Sequence, residues 1–350
     1  MLTKVNIKRY KSLYNVTIDL EPLTVLIGPN STGKSNVCEA LFVMSHLMKW
    51  RGKHSEETVA AEPSRILEGA ARLTKYQNWM DKFWRRNTKY MAFSVSMKEG
   101  GIDLDYGIEF PSEAGPVPES ILKAIDRVVP YHFSSALMSL EEKPTSLSPT
   151  GEGIANELAI LKKEKPERFE LLESLFIEMV PNVSKIKLNE QSKFHRTYYG
   201  LDLVDKYSNH PIPASDVSDG ALRTLAFLTA LYQVDTPSLV CFEELENGVH
   251  PWILYRMIEI LTDAVTNGID GKRVQVLLTT HSSVLLDYVT QKQIRVVELN
   301  QEGKTQIHAL PIQIGRLQGL LEDFETPLGE LWFSNVFGDN RSENQIVIGS

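Results

Sequence analysis

The chain has 350 residues, 42% hydrophobic and 23% charged, with a formal net charge of −8, values that suit a soluble globular protein of one large or two ordinary domains. No apolar run approaches the roughly 18 residues that cross a bilayer, and the opening Met1-Leu2-Thr3-Lys4-Val5-Asn6 reads as a strand without the apolar core of a secretion signal. The acidic balance excludes a surface coated all over with nucleic acid but leaves room for a local basic patch.

In chain order, Leu2 to Lys8, Val16 to Leu20 and Leu23 to Ile27 read as short strands, the last running straight into Gly28-Pro29-Asn30-Ser31-Thr32-Gly33-Lys34-Ser35. Ser35 to Trp50 reads as a helix, with Val37, Leu41, Met44 and Met48 near the roughly 3.6-residue period. The stretch that follows is polar, then helical, with Trp79 and Trp84 and a basic stripe of Lys82, Arg85, Arg86 and Lys89. Met91 to Met97 and Ile102 to Phe110 alternate as strands around Gly100-Gly101, a hairpin signature. A loop from Pro111 to Pro118, a short helix from Ser120 to Val128 and a mobile loop from Ser139 to Gly153 are expected next, then helices over Ile154 to Lys163 and Pro166 to Val180. Val183 to Leu188 and Phe194 to Val204 read as strands, and Ala221 to Tyr232 and Trp252 to Thr266 as helices. Ser238 to Phe242, Val274 to Leu278 and Ile294 to Leu299 are apolar strands of the fully buried type. Apolar strands alternating with helices predict an α/β core with a parallel sheet. The two cysteines, Cys38 and Cys241, fall in the first long helix and a core strand and read as reduced core thiols, which suits the cytoplasm.

Five segments carry the chemistry. Gly28 to Ser35 fits the phosphate-loop pattern without a gap, between a strand and a helix. Its glycines let successive backbone N–H groups face phosphates, Lys34 reaches the β- and γ-phosphates, and the Ser35 hydroxyl ligates Mg²⁺. Glu243 and Glu244 end a buried strand, where an open α/β sheet binds ligands; Glu243 would hold Mg²⁺ and Glu244 would orient or deprotonate the attacking water. Glu246 is acidic too and reads as a structural or interface residue. Ser218-Asp219-Gly220 opens a helix whose positive N-terminus suits a γ-phosphate, with Asp219 reading as the cap. Asn247-Gly248-Val249-His250 follows as an interface loop, and Thr279-Thr280-His281-Ser282 places an imidazole near the last phosphate. This order points to an ATPase acting as a head-to-tail dimer.

Together these residues resemble the ABC-type ATPases of the RecF/SMC/OLD branch, in particular its compact stand-alone bacterial "AAA family" members, over nearly the whole chain. The likeness rests on Lys8 to Leu13 followed by Leu23 to Asn36, on Ser218-Asp219-Gly220 with Arg223, on Glu244 to Pro251, and on Leu328-Gly329-Glu330-Leu331-Trp332. It implies an α/β P-loop NTPase, an ABC ATPase head with a mixed-sheet core and an inserted, largely helical lobe. Residues 1–50 and 181–312 would form the ATP-binding core lobe, 51–180 the inserted variable lobe and 313–350 a C-terminal tail. Asn30, Ser31, Thr32, Gly33, Lys34, Ser35 and Asn36 would bind ATP, with Mg²⁺ on Ser35 and Glu243. Glu244 and His281 would be catalytic, and Ser218, Asp219 and Gly220 would close over the nucleotide of a second chain. Arg9 or Tyr10 is the candidate adenine contact.

The resemblance further implies a cytoplasmic, membrane-free homodimer or higher homo-oligomer regulating a separate effector, a nuclease or toxin, in bacterial anti-phage defence. After Leu310 the sequence offers no acidic cluster of the kind expected of a nuclease domain, and no long heptad run indicates a coiled-coil rod. Glu243 stands where Asp is usual, Leu245 where Pro is usual, and Ser31-Thr32 where Gly-Ser is common, which implies slow turnover. Two alternatives stand beside this reading: a RecF-like repair ATPase that clamps DNA through the Lys82 stripe, and an ATP-locked scaffold without hydrolysis. A transporter motor is a weaker third.

Overall fold

A computed structural model describes residues 1–53, 91–110, 116–138, 146–193 and 196–310. The stripe of Lys82, Arg85, Arg86 and Lys89, the tryptophans Trp79 and Trp84, most of the loop from Pro111 and the Leu328 to Trp332 segment lie outside the described residues.

The first strands, β1 (Leu2–Tyr10) and β2 (Leu13–Asp19), pair antiparallel. They are joined on the other edge of β1 by the hairpin of β4 (Met91–Glu99) and β5 (Ile102–Phe110), giving the order β2-β1-β4-β5. Gly100 and Gly101, at φ 58° and 85°, supply the left-handed turn that a two-residue hairpin of matching twist needs. Val5, Ile7, Phe93 and Val95 turn one face of this sheet inward and are at most 1% exposed.

The second sheet has six strands in the order β13-β12-β3-β11-β10-β6. Its parallel members are β3 (Leu23–Ile27), β6 (Val128–Tyr131), β10 (Leu239–Glu243), β11 (Gln275–Thr280) and β12 (Ile294–Leu299), with β13 (Thr305–Ala309) antiparallel at one edge. The central strands are apolar along their length because both faces are covered. Leu239, Cys241, Leu277, Leu26 and Val297 face α1 (Lys34–Lys53) and the N-terminal sheet. Val240, Phe242, Val276, Leu278 and Val25 face α6 (Asp219–Tyr232) and α7 (Pro251–Asn267). Gln275 stitches the two sheets together: its side chain accepts from Leu2 N at 3.0 Å and donates to Leu2 O at 2.8 Å and Glu21 O at 3.1 Å. Cys38 and Cys241 are buried, free thiols.

A helical layer precedes α6. After α2 (Glu119–Ala124) and α3 (Ser135–Met138) come α4 (Ile154–Glu164) and α5 (Pro166–Met179), the latter opened by Pro166 where its missing N–H is not needed. They pack on a third sheet of β7 (Val183–Lys193), β8 (Arg196–Asp205) and β9 (Pro211–Pro213). Arg168 on α5 crosses to the C-terminal end of α6, donating to Gln233 O at 2.7 Å and Thr236 Oγ1 at 3.2 Å and pairing with Asp270. No helix among the described residues is long and apolar enough to cross a membrane.

Several elements differ from the sequence expectation, and α3, β9 and β13 have no counterpart in it. Residues 91–110 and 128–131 fall within the span 51–180 assigned to the inserted lobe, yet they pair with β1 and with β10. The helix expected over Ser120 to Val128 stops at Ala124, and Val128 begins a strand. Within the loop expected over Ser139 to Gly153, residues 146–153 form a hydrogen-bonded turn, with Leu147 buried and Pro149 O and Thr150 O accepting from His132 N and Ser134 N at 2.9 Å and 3.0 Å.

Candidate functional site

The C-terminal ends of the parallel strands gather the motif residues on one edge of the six-stranded sheet, where α/β sheets of this kind take their ligands. From β3 the chain enters the loop Gly28 to Gly33 and then α1. Gly28 and Gly33 are required by contact: a Cβ on Gly28 would sit 2.0 Å from Val297 O, and one on Gly33, at φ 110°, would sit 2.4 Å from Thr305 Oγ1. The loop is braced from behind by β13 and the β1–β2 turn. Thr305 Oγ1 donates to Thr32 O at 2.7 Å and lies 2.7 Å from Ser12 Oγ, which accepts from Asn36 Nδ2 at 2.8 Å. Asn30, Ser31 and Ser35 are exposed, while Thr32, Gly33 and Lys34 are buried.

Lys34 curls into this loop, its Nζ donating to Gly28 O at 2.7 Å and Pro29 O at 2.8 Å. Burial pushes its ammonium down to about 8, with the nearby Glu244 and Glu246 carboxylates opposing the shift. The same Nζ lies 3.4 Å from His281 Nδ1, and His281 Nε2 lies 3.3 Å from Glu244 Oε1. An ammonium only donates, so Nδ1 is the acceptor and the ring proton sits on Nε2, directed at Glu244. The second Glu244 oxygen accepts from Asn247 Nδ2 at 2.6 Å. Glu244 itself holds φ 50°, a left-handed conformation unusual for a side-chain-bearing residue. Its backbone N–H bonds Thr279 O at 3.0 Å, so the turn after β10 is tied to the end of β11.

Burial pushes the Glu243 carboxyl above the usual range, with the Ser35 hydroxyl opposing the shift and the Glu39 and Glu244 charges adding to it. A carboxylate so placed gains from a cation beside it. The oxygen donors Ser35 and Glu243 suit a hard divalent ion, and Mg²⁺ needs only one or two protein ligands beside phosphate and water.

Ser35, Glu243 and Glu244 line a cleft of about 490 Å³ that also includes Glu39, His132, Ser134, Arg223 and Asn247. The sequence reading assigned no site role to Glu39 or His132. Glu39 lies one turn beyond Ser35 on α1 and pairs with Lys11. His132 follows β6, a four-residue strand containing Pro130 and hence hard to see as a strand; its neighbour β10 carries Glu243 to the same edge. Spacing from Ser35 along a helix could have found Glu39; His132 needed the sheet order.

The turn Ser218 to Gly220 stands apart from the phosphate loop. Ser218 is the N-cap of α6, accepting from Ala221 N at 3.4 Å, and both Ser218 and Asp219 are exposed. The cap is thus Ser218, not Asp219 as the sequence suggested; Asp219 is the first helical residue, where its charge favours the helix dipole. Among the described residues no hydrogen bond joins this turn to Gly28–Ser35. It packs instead on the loop after Glu244: a Cβ on Gly220 would lie 2.4 Å from Gly248 O. His250 caps α7 by accepting from Trp252 N at 3.2 Å. Of the two adenine candidates, Tyr10 is fully buried against Phe93 with ring centroids 6.2 Å apart, which leaves it no free face for a base.

Two family models match the chain. Residues 1–106 match a family model described as "AAA ATPase domain", and residues 125–287 match one described as "AAA domain, putative AbiEii toxin, Type IV TA system". Both models describe AAA domains, and the chain is an ATPase. A curated "ATP/GTP phosphatase" from Helicobacter pylori (strain ATCC 700392 / 26695) is 22% identical to the ATPase over 344 residues, 83% of this chain and 88% of that protein. Among solved structures, the Smc head bound to the C-winged helix domain of ScpA has a TM-score of 0.56 at 13% identity, covering 90% of the ATPase and 99% of that chain. A Smc head with an extended coiled coil bound to the C-terminal domain of ScpA, derived from Pyrococcus furiosus, has a TM-score of 0.54 at 13% identity, covering 93% and 99%. The ATPase therefore has the P-loop fold of an ABC-type head, as its motif order implies.

Proposed function

We propose that the ATPase binds MgATP on Gly28 to Asn36, closes into a head-to-tail homodimer around two nucleotides, and reopens on hydrolysis. The observation that carries this reading is the chain of contacts from Lys34 through His281 to Glu244, beside the Ser35–Glu243 pair. Lys34 and the N-terminus of α1 would hold the β- and γ-phosphates. Ser35 and Glu243 would hold Mg²⁺, which when bound neutralises charge across those phosphates. Glu244, with one oxygen held by His281 and the other by Asn247, would take the proton of the attacking water as its oxygen bonds to the γ-phosphorus. The bond from γ-phosphorus to the β–γ bridging oxygen then breaks and ADP leaves with that electron pair. His281 lies between the lysine of the phosphate and the base of the water, so loss of the γ-phosphate reaches it at once. Ser218 and Asp219, both exposed, would with Gly220 cap the nucleotide of the second chain.

We further propose that this cycle regulates a separate effector, a nuclease or toxin, in bacterial anti-phage defence; the toxin-system description of the model matched over residues 125–287 supports that direction. The test measures ATP turnover by the purified protein, alone and with duplex DNA, single-stranded DNA, RNA or the product of an adjacent gene, beside Lys34→Ala. Turnover lost in Lys34→Ala and altered by the adjacent product supports the proposal. Turnover that survives in Lys34→Ala defeats the site assignment. Stimulation by nucleic acid alone defeats the effector role in favour of a direct nucleic-acid clamp.

A further inference from the structure

Glu246 lies two residues past Glu244, and the motif chemistry above gives it no task. Its Oε1 accepts from the Thr280 hydroxyl at 2.7 Å and from His281 N at 3.0 Å. Thr280 Oγ1 in turn accepts from Ser282 N at 2.9 Å, so one carboxylate oxygen shapes the backbone on both sides of His281. Oε2 is buried with no hydrogen-bond partner among the described residues, which is costly for a carboxylate. Solvating a strand end needs no such burial, and surface pairing with a partner would leave the carboxylate outside. The Glu244 N–H bond to Thr279 O fixes the backbone on one side of the site, and the Glu246 carboxylate fixes the other.

We infer that Glu246 is a positioning residue that holds His281 between Lys34 and Glu244 by gripping the Thr280–Ser282 backbone from behind. It touches neither nucleotide nor water and acts through the imidazole. The inference rests on the reading of His281 and Glu244 given above. Removing the carboxylate would strand the Thr280 hydroxyl and the His281 N–H together and let the ring swing from its 3.3 Å and 3.4 Å contacts. The phosphate loop would be untouched, because Thr305 and Ser12 brace it from the opposite side.

The experiment is a double-mutant cycle on the full chain, read by single-turnover ATP hydrolysis, ATP affinity and thermal stability. Glu246→Ala is expected to slow hydrolysis about 10- to 100-fold, the scale on which small misplacements of a catalytic group act, with ATP affinity within about twofold of wild type. Glu246→Gln, whose amide oxygen can take both donors, is expected to recover most of the rate. In a His281→Ala background, Glu246→Ala is expected to add less than about twofold, because both changes remove one unit. Should Glu246→Ala fold poorly, Thr280→Val removes the hydroxyl that donates to Glu246 and accepts from Ser282 N, leaves the His281 N–H bond to Glu246, and is expected to give a smaller loss that also vanishes in His281→Ala. Losses that multiply across the cycle, or an unchanged rate in Glu246→Ala, would overturn the inference while leaving the site reading intact. An unchanged rate in His281→Ala would overturn both.

Discussion

The Glu244 carboxylate and the His281 imidazole meet at 3.3 Å, brought together by the parallel pairing of β10 and β11. Glu243 lies opposite Thr279 in that register, so Glu244 and His281, one and two residues further on, leave adjacent strands at the same edge of the sheet. With Asn247 on the other oxygen, Glu244 is held by two donors and cannot rotate freely. Glu244→Gln preserves the size and keeps one acceptor but cannot take a proton. Hydrolysis is expected to fall about 10²- to 10⁴-fold, the usual contribution of a positioned base, while ATP binding persists and an ATP-dependent dimer accumulates. Phosphate release and light scattering check this; normal turnover in Glu244→Gln would remove Glu244 from the role of base.

Much of this site was legible before the fold was known, for a physical reason. A phosphate loop is a local device: Gly28 to Ser35 needs only its own glycines, the preceding strand and the following helix. The carboxylates and the histidine were likewise readable because each ends an all-apolar strand, which marks a buried parallel strand and thus a ligand edge. His132 and the brace from Thr305 were not readable, because their place depends on sheet order across distant segments. The register that puts β6 beside β10 has no local signature. Tyr10 shows the opposite failure: an aromatic beside the loop looked available for a base, and only the packing of Phe93 closes it off. Asp219 failed by a single position, since Ser and Asp are about equally good caps and sequence alone does not say which one turns.

Lys34 is expected to make nucleotide affinity pH-dependent. Its ammonium titrates at about 8 in the free protein, well below the ordinary lysine value of 10.5. The KM for ATP is therefore expected to rise as pH climbs through about 8, while kcat holds to higher pH because bound phosphates keep the lysine charged. The effect on stability has the opposite direction. A folded-state value below the unfolded one means the unfolded chain binds more protons between about 8 and 10.5, so this group's penalty on folding fades as pH rises through that window. Lys34→Arg, charged throughout, is expected to flatten the KM profile. An unaltered alkaline limb in Lys34→Arg would assign it to another group.

Thr305 reaches the phosphate loop from β13 with one hydroxyl that serves both Thr32 O and Ser12 Oγ. Thr305→Val keeps the shape and removes the hydroxyl, leaving a buried carbonyl short of a donor at a cost of about 1–3 kcal/mol. That should lower the melting temperature by about 1–2 °C per kcal/mol for a chain of this length and weaken ATP binding severalfold. Gly33→Ala is the harsher change, since its Cβ meets both Thr305 and Ser12 in a left-handed conformation. Nucleotide binding is expected to disappear there. Calorimetry with a non-hydrolysable ATP analogue separates the two cases, and wild-type affinity in Gly33→Ala would show that the loop is not the phosphate site.

Gly220 and Gly248 offer a way to separate nucleotide binding from closure of the dimer. A Cβ on Gly220 would lie 2.4 Å from Gly248 O, a backbone atom with no room to give, so Gly220→Ala must displace the turn at the start of α6 or the loop after Glu244. Neither movement reaches Lys34, which is held by carbonyls of its own loop. Affinity for ATP in the single chain is therefore expected to stay within about twofold of wild type, because additivity holds for sites without shared partners. The dimer should respond differently, because Ser218 would meet the second chain's nucleotide only from an undisturbed helix N-terminus. Combined with Glu244→Gln, Gly220→Ala is expected to abolish the ATP-dependent increase in mass seen by light scattering. A stable ATP dimer in that double variant would mean that the α6 turn does not close over the partner's nucleotide.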